Sequence, residues 1–317
     1  MSWRVCVRAI IVEALVFVAV ASLLFLVFLL PPDVKKSLVM TAASPPVTWL
    51  TNNYVHESWG HLLGNLGGYF VCTFIYIALI PVLAVLGFDP RWVKRFSVIT
   101  HLAALTVIPI ISSFACLQLV LSRAPQLYLL GFSSSVAAYF GAYAALWVVT
   151  TAEALSASRG LWRTAHVGFQ LLLQLLLLQL TPLSRYPLQR ATWLAPTAPY
   201  TPLITPVLAF LLAVKSPRSL RAFFERIRSR VKEHTAFFVL LFLPYLLFAP
   251  FMLDSLYPVS IAMQDAGGYA NALAHFVSMV AGYASTCLFA ALARAKEVIQ
   301  NALARGSKRA RPIGDPR

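Results

Sequence analysis

The sequence predicts an all-α membrane protein, a polytopic bundle of about eight transmembrane helices. Of its 317 residues, 59% are apolar and only 12% are charged, and the mean hydropathy is +0.75. A soluble domain carries about 25% charged residues. The apolar residues also form long unbroken runs. Because the bilayer core holds no water, each run must satisfy its own backbone hydrogen bonds, as a helix does.

The apolar segments are separated by polar connections that contain proline. They span roughly residues 9–30, 57–87, 98–121, 129–150, 164–182, 199–214, 235–257 and 270–295. The sixth is the weakest, because it is short and Pro202 and Pro206 interrupt it. We therefore assign residues 1–296 to one transmembrane domain and residues 297–317 to a basic cytoplasmic tail.

The basic residues predict the topology. If the N-terminus is cytoplasmic, all but five of the 26 Lys and Arg residues lie on the inner side. This asymmetry is the positive-inside rule, so both termini are expected in the cytoplasm and the protein in the cell membrane. We interpret the net charge of +15 as a consequence of basic residues that set the membrane topology and attract anionic lipid of the inner leaflet. We do not interpret it as a nucleic-acid binding site. The run 215–234 is predicted to be an interfacial helix.

The four cysteines lie in or beside the apolar segments, and their spacing matches no metal motif. We interpret them as small core residues and expect neither a metal nor a cofactor. They are Cys6, Cys72, Cys116 and Cys287.

Polar residues at membrane depth are costly and often mark function. The second apolar segment begins with His61 and Asn65, the fourth with Ser133, and the eighth with His275. The predicted topology brings all three helices in from the outer face. These four side chains are therefore expected within about two turns of the outer boundary.

Small residues recur at every fourth position of the same three helices, a pattern that lets transmembrane helices approach closely. The series are Gly60, Gly64, Gly68 and Cys72; Ser133, Ala137, Gly141 and Ala145; and Ala274, Ser278, Gly282 and Thr286. A serine hydroxyl and an imidazole must lie about 3 Å apart to share a proton. The series predict that the helices come close enough for this contact.

This arrangement favours nucleophilic catalysis, with Ser133 as the nucleophile and His275 as its general base. We expect a dyad rather than a triad, because the nearest carboxylates, Asp254 and Asp265, belong to an outer loop. His61 and Asn65 share a helical face. Together with the Ser133 N–H they would stabilise an oxyanion, each donor contributing about 3 kcal/mol.

The pattern His-x4-His-x3-Asn, then Gly-x-Ser, then Ala-His resembles the rhomboid intramembrane serine proteases. The resemblance implies an endopeptidase that cleaves membrane proteins in or near a transmembrane segment. The resemblance implies that Ser133 is the nucleophile and His275 the base. It also implies that the oxyanion region contains His61, Asn65 and His56. It also implies a six-helix core, so about two helices are extra here, and we assign them to the hairpin 164–214.

The chain departs from the family pattern at Ser134, where a glycine is usual, and at Ala137, where an aromatic residue is usual. The sequence leaves three alternatives: a catalytically inactive rhomboid-like protein that binds or escorts membrane proteins, a zinc peptidase and a transporter. Zinc binding would require His56 and His61 on one helical face, but a five-residue spacing places them about 140° apart. We predict that His101 is an interfacial residue.

Overall fold

The computed structural model describes residues 3–86, 88–155, 225 and 266–309. The helices in these ranges are α1 (Trp3–Phe28), α2 (Pro32–Leu38), α3 (Thr48–Thr51), α4 (Trp59–Val85), α5 (Pro90–Leu102), α6 (Ile108–Cys116), α7 (Ser133–Leu155) and α8 (Ala266–Arg309). A 3₁₀ turn spans Asn52–Tyr54, and π-helical turns span Ala103–Val107 and Leu117–Leu121. Two short strands are β1 (Met40–Thr41) and β2 (Tyr128–Leu129).

Four helical segments of the described chain are long and apolar enough to cross a membrane. They are Trp3–Phe28, Trp59–Ala84, Pro90–Leu121 and Leu273–Ala293. The prediction of an all-α membrane protein is thereby confirmed in its general form. The predicted segments 164–182, 199–214 and 235–257, and nearly all of the predicted interfacial helix, lie outside the described residues.

Helices α5 and α6 form one continuous helix, because the π turn between them keeps the chain helical. The helix begins at Pro90 rather than at residue 98, and the Asp89 carboxylate accepts a hydrogen bond from the Arg91 N–H at 2.9 Å. Pro109 has no N–H to donate to the Leu105 carbonyl four residues earlier. The Tyr54 hydroxyl donates to that carbonyl at 2.5 Å instead. Burial raises the pKa of Tyr54 to about 12, so it keeps this proton.

Helix α7 forms the centre of the bundle and is buried from Ser134 to Trp147. It crosses α8 in direct backbone contact. A Cβ atom on Gly141 would lie 2.0 Å from the Met279 carbonyl oxygen, and one on Gly282 would lie 2.1 Å from the Ala138 carbonyl oxygen. The predicted close approach of these two helices is confirmed, and it requires glycine at both positions.

The corresponding prediction for α4 does not hold among the described residues at the N-terminal end of the helix. Gly60 and Gly64 are exposed, and no heavy atom of the described residues lies within 4 Å of a Cβ atom placed on Gly64. Helix α4 meets α7 further along, where the Cys72 thiol donates to the Val136 carbonyl at 3.7 Å. Within the described ranges, the glycines at the start of α4 therefore do not contact another helix.

The connection from α1 to α4 packs against the segment that precedes α7. Strands β1 and β2 pair antiparallel, with Met40 opposite Leu129 and Thr41 opposite Tyr128. The Tyr128 hydroxyl donates to Glu57 Oε1 at 2.6 Å, which raises the pKa of Tyr128. This connection therefore holds the chain in place just before Ser133.

Helix α8 runs without a break from Ala266 to Arg309. The first part of the predicted basic tail is therefore a continuation of this helix. Its N-terminal half carries His275 and Gly282 and packs on α7.

Candidate active site

The structure brings Ser133 and His275 into direct contact. The Ser133 Oγ and His275 Nε2 atoms lie 2.6 Å apart, a hydrogen-bond distance, although 142 residues separate them in sequence. His275 is buried and Ser133 is half-buried. When the hydroxyl donates, Nε2 is the unprotonated ring nitrogen, which is the arrangement that a general base requires.

Ser133 is the first residue of α7, and the turn before it depends on Gly131. Gly131 has a φ of +111°, a conformation that residues with a side chain rarely adopt. Its N–H donates to the Asn52 carbonyl at 2.9 Å. This turn takes the chain from β2 into α7 and leaves the first N–H groups of the helix without intrahelical acceptors.

His61 and Asn65 lie against this turn. A Cβ atom on Gly131 would lie 2.6 Å from His61 Nε2 and 3.6 Å from Asn65 Nδ2. Both side chains therefore reach the backbone two residues before Ser133, and only glycine leaves them room. His61 is half-buried and Asn65 is buried.

His56 contacts both the turn before Ser133 and the side chain of Asn65. Its Nε2 receives the Phe132 N–H at 3.4 Å and lies 3.0 Å from Asn65 Nδ2. Because a backbone N–H only donates, this nitrogen accepts, and the ring proton is on Nδ1, 3.3 Å from the Tyr54 carbonyl. Burial, and then the charge of His61, lowers the pKa of His56 to about 4, so the ring is neutral near pH 7. His56 thus orients the Asn65 amide by accepting one of its two N–H groups, which leaves the other N–H as a further donor.

Two further residues position the site. The Ser58 hydroxyl caps α4 by accepting the His61 N–H at 3.2 Å, and so fixes where the helix begins. The Asn52 side-chain amide donates to Ser113 Oγ on α6 at 3.0 Å. The backbone carbonyl of Asn52 accepts the hydrogen bond from the Gly131 N–H. The Ser58 cap has a sequence signal, a serine just before an apolar run. The role of Asn52 has none, because its partners are distant in sequence.

Of the three consecutive serines, Ser133 makes the contact with His275. Ser134 and Ser135 are buried within the bundle. In the described part of the chain, the Ser135 hydroxyl has no hydrogen-bond partner. Successive helical residues point about 100° apart, so consecutive serines are not expected to share the contact with His275.

The sequence led us to expect His101 at the membrane interface, and the structure adds the partners of its ring. Its ring bonds to Glu13 and to Tyr139 inside the bundle, at 2.8 Å and 2.7 Å. The sequence places His101 near the end of an apolar run but does not show these partners on α1 and α7.

No group of three or more His, Cys, Asp or Glu side chains in the described ranges is arranged to hold a metal ion. His56 precedes α4, and both of its ring nitrogens have hydrogen-bond partners, so it does not form a helical metal motif with His61. The comparisons with known proteins add no assignment: no family model, curated protein or solved structure matches the chain.

Proposed function

We propose that the chain is a rhomboid-like intramembrane serine endopeptidase, with Ser133 as the nucleophile and His275 as the general base. The observation that carries the proposal is the 2.6 Å contact between Ser133 Oγ and His275 Nε2. Serine hydroxyls are weak nucleophiles unless a base accepts their proton, and this contact supplies one.

The reaction would proceed by acyl transfer. Ser133 Oγ attacks the carbonyl carbon of the scissile peptide bond, and its proton moves to His275 Nε2. His275 then protonates the leaving amine, and a water molecule hydrolyses the acyl-enzyme by the same steps in reverse roles. His275 alone serves as acid and base in both halves.

The donors around Gly131 support the oxyanion role. The Ser133 N–H is in the first turn of α7, where backbone donors are free and the helix dipole favours negative charge. His61 and the second N–H of Asn65 adjoin the same turn. Removing one such donor typically costs about 10²- to 10³-fold in turnover.

The position of the site supports a transmembrane substrate. His61 lies near the start of the segment Trp59–Ala84, and His275 near the start of Leu273–Ala293. The dyad is therefore close to one end of the membrane-spanning helices. A substrate helix in the bilayer would present a peptide bond near its own outer boundary.

An inactive rhomboid-like protein that binds or escorts membrane proteins is the alternative. Binding does not require a serine and a histidine that share a proton. Both side chains are present and in contact, and this observation favours the protease.

The test is incubation of the purified protein in phospholipid vesicles with a generic transmembrane substrate. We expect Ser133→Ala to abolish cleavage. The matched control is Ser135→Ala, which removes a buried hydroxyl that lacks a partner in the described residues and should leave cleavage intact. Ser134→Gly, which restores the family pattern, should keep or raise the rate.

A fluorophosphonate probe gives a second measurement. We expect mass spectrometry to place the adduct on Ser133, and His275→Ala to prevent labelling. Cleavage by Ser133→Ala at the wild-type rate would overturn the proposal. So would an adduct on Ser134 or Ser135.

We also propose that the site faces the outside of the cell and that both termini are cytoplasmic. The three helices that carry the site residues begin at the same end of the bundle. Helix α5 begins where α4 ends, at the other end, and its first turns carry Arg91, Lys94 and Arg95. A cysteine introduced at Arg123 should react with an impermeant maleimide in intact cells, and one at Arg91 should not. The reverse pattern would contradict this orientation.

A further inference from the structure

An exposed carboxylate adjoins the candidate active site and takes no part in the dyad. Glu57 lies between His56, which contacts the turn before Ser133, and Ser58, which caps α4. His56 is buried, whereas Glu57 is exposed. The Glu57 side chain also interacts electrostatically with the His61 ring. A carboxylate open to water therefore lies at the edge of the group that we assign to the oxyanion.

Tyr128 fixes the position of this carboxylate. The Tyr128 hydroxyl donates to Glu57 Oε1 at 2.6 Å. Tyr128 belongs to β2, which pairs with β1 and leads into the turn at Gly131. The two chain segments that frame the turn before Ser133 thus hold the carboxylate between them. A charged group that is already held in place loses less conformational freedom when it binds a partner.

The charge of Glu57 is not balanced by the part of the chain that the structure describes. The ion pairs in that part are Lys36 with Asp33 and His101 with Glu13, so no basic nitrogen there lies within 4.0 Å of a Glu57 oxygen. A carboxylate open to water is negatively charged near pH 7. The Tyr128 hydroxyl donates a hydrogen bond to it but supplies no positive charge. The carboxylate is therefore open to a cation that comes from outside the chain.

The position of this charge beside His61 would oppose the proposed reaction. Acyl transfer places a negative charge on the carbonyl oxygen of the scissile bond, beside the donors His61 and Asn65. A second negative charge near these donors repels the oxyanion. A cation on the substrate that pairs with Glu57 would remove this repulsion and would also add an attraction. Substrates with such a cation are therefore expected to bind and react faster than neutral ones.

We propose that Glu57, oriented by Tyr128, is a specificity-determining residue that selects substrates with a Lys or Arg beside the scissile bond. The inference rests on the proposed protease function. The path from Glu57 to the turn before Ser133 consists of one peptide unit and the His56 ring. An extended substrate advances about 3.4 Å per residue, so the basic residue should lie within about five residues of the scissile bond.

A preference of this kind discriminates strongly among membrane proteins. Lys and Arg are concentrated on the cytoplasmic flanks of transmembrane segments. If the site faces the outside of the cell, as proposed above, the residue that Glu57 selects lies on the flank where basic residues are uncommon. Most transmembrane segments would then react slowly, even where they reach the site.

The test compares substrates that differ in one side chain. The full chain in phosphatidylcholine vesicles is given transmembrane substrates that carry Lys, Gln or Glu at one position, and this position is moved along the flank beside the scissile bond. At one or two neighbouring positions we expect kcat/KM for Lys to be about 3-fold higher than for Gln and about 10-fold higher than for Glu. The preference should shrink in about 0.5 M salt, which screens exposed charges.

Substitutions of the pair should change the preference in a defined order. Tyr128→Phe should reduce it, Glu57→Gln should remove it, and Glu57→Lys should reverse it in favour of Glu. The matched control is Asp33→Asn, which removes the same charge from another exposed residue of the connection between α1 and α4 and should keep the wild-type preference. Each preference is a ratio of rates within one protein, so a smaller folded fraction does not alter it.

The outcomes separate this inference from the proposed function. Equal wild-type rates for Lys, Gln and Glu at every position would overturn the inference, while the cleavage itself would support the protease. A Glu57→Lys protein that still prefers Lys would also overturn it, as would an Asp33→Asn protein that loses the preference. If the wild-type protein cleaves none of the substrates and Ser133 is not labelled by the fluorophosphonate probe, both the proposed function and the inference fail.

Discussion

Gly131→Ala is expected to disturb the site more than the fold, so its effects on labelling and on stability can be measured separately. The new Cβ atom would lie 2.6 Å from His61 Nε2 and 2.7 Å from His61 Cε1, so the imidazole must move away. The backbone would also have to hold alanine at a φ of +111°. Strain of this kind costs about 1–3 kcal/mol.

Two effects are expected, and each has its own magnitude. Thermal unfolding in detergent should show a loss of about 1–3 kcal/mol in the free energy of unfolding. Loss of one oxyanion donor should slow fluorophosphonate labelling of the folded protein by about 10²- to 10³-fold. The labelling rate is measured below the unfolding transition, so the two effects do not mix.

Gly64→Ala is the matched control, because it adds the same methyl group to α4 beside Asn65. In the part of the chain that the structure describes, no heavy atom lies within 4 Å of the new Cβ atom, and alanine is favoured over glycine in a helix by about 1 kcal/mol. We expect wild-type labelling and unchanged or higher stability. Normal labelling of Gly131→Ala, or an equal loss in Gly64→Ala, would refute the assignment of His61 to the site.

Three further predictions follow from the contacts of the site. Asn65→Ala should lower turnover about 10- to 1,000-fold with little change in KM, and an unchanged turnover in the cleavage assay would remove Asn65 from the site. Gly282→Ala places a Cβ atom 2.1 Å from the Ala138 carbonyl oxygen and must push α8 away from α7, so cleavage should fall about 100-fold; wild-type cleavage would contradict this. The pKa of His56 is lowered from 6.5 to about 4, so its stabilising effect is complete above pH 6.5 and is lost as the pH falls to 4. This loss amounts to at most about 3 kcal/mol. His56→Gln should flatten the pH dependence of unfolding, and an equally steep dependence in that variant would show that another group is responsible.

The sequence was sufficient to place the residues that meet, because membrane insertion restricts the alternatives. Apolar run length and basic asymmetry predict the direction of each helix, and this prediction places side chains near the start of α4, α7 and α8 in one layer. Ser133 and His275 were identifiable for this reason. The same reasoning overestimated the small-residue pattern on α4, because a glycine at every fourth position does not determine whether a helix or an open surface lies beside it.

The contacts made by loops and by the pair of Glu13 and His101 were not predictable in the same way. Asn52 supports Gly131 through a carbonyl, and backbone acceptors have no sequence signature. His101 and Glu13 are separated by 88 residues, and each alone resembles a polar residue near a helix end. Their pairing depends on the lateral packing and rotation of α1, α5 and α7, which periodicity within one helix does not specify.

The crossing of α7 and α8 explains why the dyad forms with so short a distance. Gly141 lies about 12 Å along α7 from Ser133, and Gly282 lies about 10 Å along α8 from His275. The two helices touch at these glycines, and the dyad is displaced from the crossing in the same direction on both. Ser133 and His275 therefore reach nearly the same height above the contact. Because the backbones are in contact there, the helices have little room to separate over two turns, so the glycine pair sets the spacing of Ser133 and His275.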